Sequence, residues 1–224
     1  MALILGIETA TKNCSVALFK DGILIAEKEH NADGYTHAEQ LNLFIEEVIN
    51  SANITLKEIE AVALSMGPGS YTGLRIGTST AKGLCYALEI PLLAIFTLKA
   101  MAFGMAKNTK SAIYCPMIDA RRMEVYSALF EENNKEIRGV QADVVDEQTY
   151  AEFLKDEVLF FGDGALKCKE IINHKNAKFI EGIYPSAKNL GVLANAKFEN
   201  KNFEDVAYFE PYYLKDFVAG KKKS

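Results

Sequence analysis

Leu3-Ile4-Leu5-Gly6-Ile7-Glu8-Thr9, followed by Val16-Ala17-Leu18-Phe19-Lys20-Asp21-Gly22-Ile23-Leu24-Ile25-Ala26, is the stretch on which the architecture turns. Leu3 to Ile7 is a short apolar run ending in Glu8-Thr9. Val16 to Phe19 and Ile23 to Ala26 are two more, and the Asp21-Gly22 pair between them is the residue choice a tight hairpin turn needs. Three consecutive antiparallel strands are therefore predicted.

Working outward, apolar residues recur at Ala38, Leu41, Ile45, Val48 and Ala52, which predicts an amphipathic helix from about Tyr35 to Ala52. Thr36 and Glu39 are spaced to form a capping box at its start. Ile59 to Ser65 reads as a buried strand, Gly67-Pro68-Gly69-Ser70 breaks the chain, and a second helix is predicted from about Thr72 to Leu88. Leu92 to Phe96 gives a further strand and Leu98 to Ala106 a further helix. A meander of strands feeding alternating strands and helices is the layout of one lobe of the actin, Hsp70 and sugar-kinase fold.

The second half echoes the first. Ala112 to Ile118, a turn at Asp119-Ala120-Arg121-Arg122, and Val125 to Phe130 repeat the opening hairpin, with Asp119 where Glu8 falls. Val158 to Phe161, Gly162-Asp163-Gly164 and a helical stretch repeat the strand, glycine turn and helix around Gly67 to Ser70. Gly139 to Val145 and Ala177 to Ile180 complete the second set of strands, Ser186 to Phe198 reads as a helix, and Tyr208 to Leu214 as an extended packed terminus. The expectation is an α/β protein of the actin-like ATPase (ASKHA, ribonuclease H-like) fold. Its two related lobes, 1–107 and a smaller 108–224, would each hold a mixed β-sheet flanked by helices.

Composition narrows the function classes. With 224 residues and 49% hydrophobic content, a large apolar core is available and a disordered chain is excluded. Runs such as Ile90 to Phe96 are too short to cross a bilayer, and no signal-like segment leads the chain, so a cytoplasmic protein with no membrane contact is expected. Cys14, Cys85, Cys115 and Cys168 are scattered and suggest reduced, buried thiols rather than disulfides or a zinc site. The formal charge is −5 and the densest basic run is Lys221-Lys222-Lys223, which disfavours autonomous nucleic-acid binding.

Candidate chemistry gathers at the turns. Glu8 and Thr9 stand where ATPases of this architecture present backbone N–H groups to phosphate and an acidic residue to hydrated Mg²⁺. Gly67, Gly69 and Ser70 open a helix whose free N–H groups could receive an anion. Together with Asp119 they are the candidate nucleotide-binding residues, although the same residues also serve as strand end, cap and chain reversal. The Gly67 turn is neither a Walker A loop nor a hydrolase elbow. Gly73, Gly77 and Ala81, four apart, lay a groove of small residues along one helix face, for this chain's own sheet or for a partner. His30, His37 and His174 form no zinc motif.

Leu5-Gly6-Ile7-Glu8-Thr9, Met66-Gly67-Pro68-Gly69-Ser70-Tyr71-Thr72-Gly73-Leu74-Arg75-Ile76-Gly77 and Lys82-Gly83-Leu84 closely resemble the TsaB (YeaZ) family. The resemblance implies bacterial synthesis of threonylcarbamoyladenosine at position 37 of tRNAs that read codons beginning with A. There TsaD transfers the threonylcarbamoyl group, TsaB pairs with TsaD, and TsaE supplies ATPase activity. Two departures from TsaD-type sequences bear on the role. Lys12-Asn13 replaces an acidic pair, and Thr97 and Met101 stand downstream of Pro91 where two metal-binding histidines lie four apart. Thr and Met are poor ligands for a divalent iron or zinc site.

The resemblance therefore implies a non-catalytic activator with no metal and no required cofactor beyond weak ATP or ADP binding. It would dock on a TsaD-like subunit, work with a TsaE-like ATPase, reach tRNA only through the complex, and self-associate as a homodimer when the partner is missing. His37, Leu41, Tyr71, Leu74, Arg75 and Thr78 on the paired helices are the expected contacts. The alternative is a small Mg-ATP-dependent ATPase or kinase built on Glu8, the glycine turn and Asp119.

Overall fold

The computed structural model describes residues 2–31, 34 and 36–215. The expected helix start at Tyr35 and the Lys221-Lys222-Lys223 run lie outside the described residues. Two five-stranded sheets form. The first holds β1 (Leu3–Glu8), β2 (Asn13–Lys20), β3 (Ile23–Asn31), β4 (Ala61–Ser65) and β5 (Leu92–Ile95) in the order β3-β2-β1-β4-β5. The second holds β6 (Ile113–Asp119), β7 (Glu124–Phe130), β8 (Glu136–Val144), β9 (Val158–Phe161) and β10 (Ala177–Ile180) in the order β10-β9-β6-β7-β8.

The internal echo is a repeat of topology. In each sheet the first three strands run antiparallel and the last two join parallel to the first. Asp21 and Gly22 take φ of 53° and 79°, the left-handed pair expected of the β2–β3 turn. β4 and β5 are buried along their whole length, as parallel strands covered on both faces must be, whereas β3 is an exposed edge carrying Glu27, Lys28, Glu29 and His30.

Helices α1 (His37–Ser51) and α2 (Tyr71–Leu88) cover one face of the first sheet, α1 burying Leu41, Phe44, Ile45, Val48 and Ile49. The capping box expected from Thr36 and Glu39 is not made. The Thr36 hydroxyl donates instead to Gln40 Oε1 at 3.0 Å. The helical stretch expected after Gly164 is a single 3-10 turn, Leu166–Cys168, and the helix expected from Ser186 is a 3-10 turn followed by α4 (Gly191–Glu199).

The remaining helices cross between sheets. α3 (Thr97–Ala106) turns Leu98, Met101, Ala102 and Met105 toward Tyr114, Ile118, Phe130 and Phe161 of the second sheet. α4 returns to the first sheet, where Ala187, Leu190 and Ala194 join Ile4, Phe19, Ala63 and Leu93. Division of the chain at 107 therefore does not follow the packing. The second face of the first sheet is apolar, and the C-terminal segment covers it together with Ala100 of α3. That segment is tied on by Ala187 N donating to Ser15 Oγ (3.0 Å), Glu204 N to Leu92 O (2.9 Å) and Tyr212 N to Met66 O (2.7 Å).

Candidate functional site

The turn after β1 is packed into its own lobe. Glu8 is 1% exposed, and its Oε1 accepts from Ala10 N at 2.6 Å. Burial pushes the Glu8 carboxyl up to about 7, opposed by hydrogen bonds from the Ser65 hydroxyl and from the Ala10 and Thr9 amides. Ser65 Oγ and Thr97 Oγ1 lie 2.6 Å apart, and Thr97 Oγ1 accepts from Gly67 N at 3.2 Å. With the Ser65 proton on Glu8, the Thr97 hydroxyl must donate to Ser65. One proton order thus links β1, β4, α3 and the glycine turn.

Gly69, before α2, and Gly73 and Gly77 within it make this possible. A Cβ on Gly69 would overlap the Ala10 carbonyl, one on Gly73 the Thr9 carbonyl, and one on Gly77 the Thr9 hydroxyl. The groove of small residues therefore seats the chain's own turn. The helix N-terminus is occupied in the same way: Ser70 N donates to Ala10 O (2.6 Å), Gly73 N to Ser70 Oγ (3.3 Å), and Leu74 N to Ser70 O (2.9 Å). A Cβ on Gly67 would come within 2.7 Å of Tyr212 O, because the C-terminal segment crosses the turn. Thr9, Gly67, Gly69 and Ser70 thus serve as packing positions in this structure, with the Gly67 and Ser70 amides donating to Thr97 and Ala10.

In the second lobe Asp119 ends β6 as Glu8 ends β1, but its side chain is 46% exposed and paired with Lys167. Its amide donates to Asp163 Oδ1 at 3.0 Å, and burial raises the Asp163 carboxyl. Glu8 and Asp119 are each tied into their own lobe. Between the lobes, a cleft of about 380 Å³ runs beside α3, lined by Glu29, Lys188, Met101, Met105, Ile180 and Ile183. The Glu29 carboxylate there already accepts from the Ser186 hydroxyl (2.5 Å) and Lys188 Nζ (3.1 Å), and neither Glu8 nor Asp119 borders it.

Thr97 and Met101 both lie inside the protein, at 0% and 2% exposure. The Met101 ε-methyl stands 3.1 Å from where a Gly162 Cβ would be, so a thioether fills the space between α3 and the second glycine turn. Among the described residues no group of three or more His, Cys, Asp or Glu side chains is placed to hold a metal ion. No described helix is long and apolar enough to cross a membrane.

Burial corrects most of the expected contact residues. His37, Leu41 and Leu74 are each 1% exposed and Thr78 is 6% exposed, so they are core of the lobe. His37 Nε2 lies 2.7 Å from Thr11 O, beneath the β1–β2 turn, and burial lowers its basicity. Arg75 is exposed and Tyr71 half-buried, with the Arg75 guanidinium 4.1 Å from the centre of the Tyr71 ring and Arg75 Nε donating to Tyr213 OH at 3.3 Å. The open face of α2 is instead Thr72, Arg75, Ser79, Gly83 and Tyr86, the last 84% exposed. These positions recur at three- and four-residue intervals opposite Gly73, Gly77 and Ala81. The signal was present in the helical spacing, once the glycines were known to face inward.

A buried polar cluster in the second lobe had no sequence signal at all. Asp143 Oδ2 accepts from Ser127 Oγ (2.5 Å), from Tyr150 OH (2.9 Å) and from Arg138. Ser127 meets Arg138 and Asp143 because β7 and β8 pair, and Tyr150 reaches them from the segment after β8.

The TsaD family (tRNA N6-adenosine threonylcarbamoyltransferase) matches residues 31–223. The Escherichia coli K12 tRNA threonylcarbamoyladenosine biosynthesis protein TsaB is 30% identical, over 98% of this chain and 97% of its own length. Among solved structures, a Pseudomonas aeruginosa protein described by its similarity to peptidase YEAZ superposes with a TM-score of 0.83 at 24% identity, covering 96% of this chain and 100% of that one. The ADPNP-bound activator of 2-hydroxyisocaproyl-CoA dehydratase from Clostridium difficile shares the fold at a TM-score of 0.53 and 11% identity, covering 91% of this chain and 98% of that one. Two lobes of repeated topology, the actin-like architecture these structures share and near-full-length likeness to TsaB place the chain in a known group: it belongs to the TsaB (YeaZ) family.

Proposed function

We propose that this protein is a non-catalytic partner subunit in the synthesis of threonylcarbamoyladenosine on tRNA, docking on a TsaD-like transferase and working with a TsaE-like ATPase. Near-full-length likeness to a protein named for that biosynthesis carries the reading. Two features of the site support the non-catalytic part: the Thr97 hydroxyl and the Met101 thioether are committed to internal contacts, and the turn around Thr9 is seated on α2. The α2 stripe of Thr72, Arg75, Ser79, Gly83 and Tyr86 supports the docking part. Small Ser79 and Gly83 between Arg75 and Tyr86 let a partner helix approach closely, with an Arg and a Tyr at the margins as anchors. The same stripe would serve a two-fold homodimer when the partner is absent.

Reconstituted tRNA modification with and without this protein tests the role, and co-purification tests the surface. Ser79→Trp and Arg75→Glu should abolish capture of a TsaD-like subunit while leaving the melting temperature within a few degrees of wild type. Unchanged capture by both folded variants would remove α2 as the docking face. Leu74→Asp does not serve this purpose, because Leu74 is core.

A further inference from the structure

Lys167 occupies a place that its neighbours define as a cation site. Its Nζ donates to the Asp119 carboxylate, to Arg122 O at 2.7 Å and to Glu124 O at 2.7 Å. An ammonium has three N–H bonds, and each meets an oxygen of the β6–β7 turn. The side chain is only 23% exposed, which separates this arrangement from a solvated surface ion pair.

The turn needs such a hold. Arg121 and Arg122 take φ of 72° and 49°, left-handed values in consecutive residues that both carry a Cβ, where the β2–β3 turn uses Asp21-Gly22. The local bonds Arg121 N to Asp119 Oδ1 (2.8 Å) and Glu124 N to Arg121 O (3.2 Å) leave the Arg122 carbonyl pointing at Lys167. The two lobes close equivalent turns by partly shared means, and the lysine is what the second lobe adds. In the first, glycines of α2 let the helix sit on the turn after β1. In the second, Gly162 and Gly164 likewise pack on the end of β6 and Asp163 accepts from Asp119 N, but the oxygens of the turn itself are met by a lysine from the 3-10 turn Leu166–Cys168.

We infer that Lys167 is a built-in cation of the second lobe: its ammonium takes the oxygen cradle formed by Asp119, Arg122 O and Glu124 O, holds the strained turn in one shape, and excludes a divalent cation from it. The turn is then preformed without metal or nucleotide, and a phosphate ligand that arrives with its own Mg²⁺ finds the oxygens taken. The inference is independent of what docks on α2.

The full chain, ¹⁵N-labelled, tests it with Mn²⁺ as the probe. In the wild type the Lys167 ammonium should give a slowly exchanging ¹⁵Nζ signal, and millimolar Mn²⁺ should leave the Ala120 to Glu124 amides unbroadened. Lys167→Met removes the charge-assisted bonds, so exchange of those amides should accelerate by about tenfold or more. Mn²⁺ should then broaden them at roughly one tenth of the concentration the wild type tolerates. Equal Mn²⁺ broadening in wild type and variant would overturn the inference, and so would unchanged amide exchange in Lys167→Met. Should that variant fail to fold, Lys167→Arg keeps the charge but cannot converge three N–H bonds on the cradle. It should show partial acceleration of the same amides, and wild-type exchange rates there would overturn the inference equally.

Discussion

Exchanging two glycines of the same helix for alanine should move stability in opposite directions. Gly83 is exposed, with nothing within 4 Å of an added Cβ, so Gly83→Ala recovers helix propensity alone and should stabilise by roughly 0.5–1 kcal/mol. Gly73→Ala gains the same propensity, but its Cβ overlaps the Thr9 carbonyl. That carbonyl belongs to a turn held by Ala10 N on Glu8 and by Ser70 N on Ala10 O, so it cannot give way as a flexible side chain would. Overpacking of this kind costs about 1–3 kcal/mol or more, and backbone contact argues for the upper end. The two variants should therefore differ by on the order of 3 kcal/mol, or roughly 6–12 °C in melting temperature for a protein of this size. Urea denaturation followed by far-ultraviolet circular dichroism and tyrosine fluorescence reads the difference, since the chain has no tryptophan. Gly73→Ala as stable as Gly83→Ala would refute the claim that the glycine stripe seats this chain's own turn.

Glu8 should make stability depend on pH. Its folded pKa of about 7 lies above the ordinary 4.5, so the folded state holds the proton more tightly and stability falls as pH rises from 4.5 toward 7. Glu8→Gln removes that dependence, and its stability relative to wild type should grow across the window by on the order of 3 kcal/mol; parallel curves would contradict the burial argument. Asp143→Ala leaves Arg138 buried without its carboxylate and should cost roughly 3–5 kcal/mol by denaturant titration, whereas a loss below about 1 kcal/mol would mean that the cluster is solvated. All four thiols are buried, with Cys14 and Cys85 pushed up to about 12 and Cys168 to about 11 by desolvation. A thiol-specific reagent should react with them only after unfolding, and rapid labelling of the native protein at neutral pH would argue against this.

Much of the architecture was legible in the chain because its signals are local. The hairpin follows from Asp21-Gly22, and β4 and β5 from short runs of apolar residues between breakers. The site was less legible. The six expected contacts lie on α1 and α2, and burial removes His37, Leu41, Leu74 and Thr78 from any open surface, because both helices turn those positions inward. Spacing gives the faces of a helix and leaves open which face meets the sheet. A stripe of glycines fits a partner as well as it fits a turn of the same chain.

By itself, then, the order of residues determined the repeated strands, the breaks at Gly67 and Gly162, and the identity of the side chains at 97 and 101, all set by neighbours within a few positions. Tertiary structure alone decided that α3 lies against the second sheet and α4 against the first, that Thr9 rests on Gly73 and Gly77, and that Lys167 reaches the turn after Asp119. The reason is that these contacts join segments tens of residues apart. Their energy comes from covering whichever apolar face or unpaired oxygen is left once the sheets have formed, and no local pattern records that remainder.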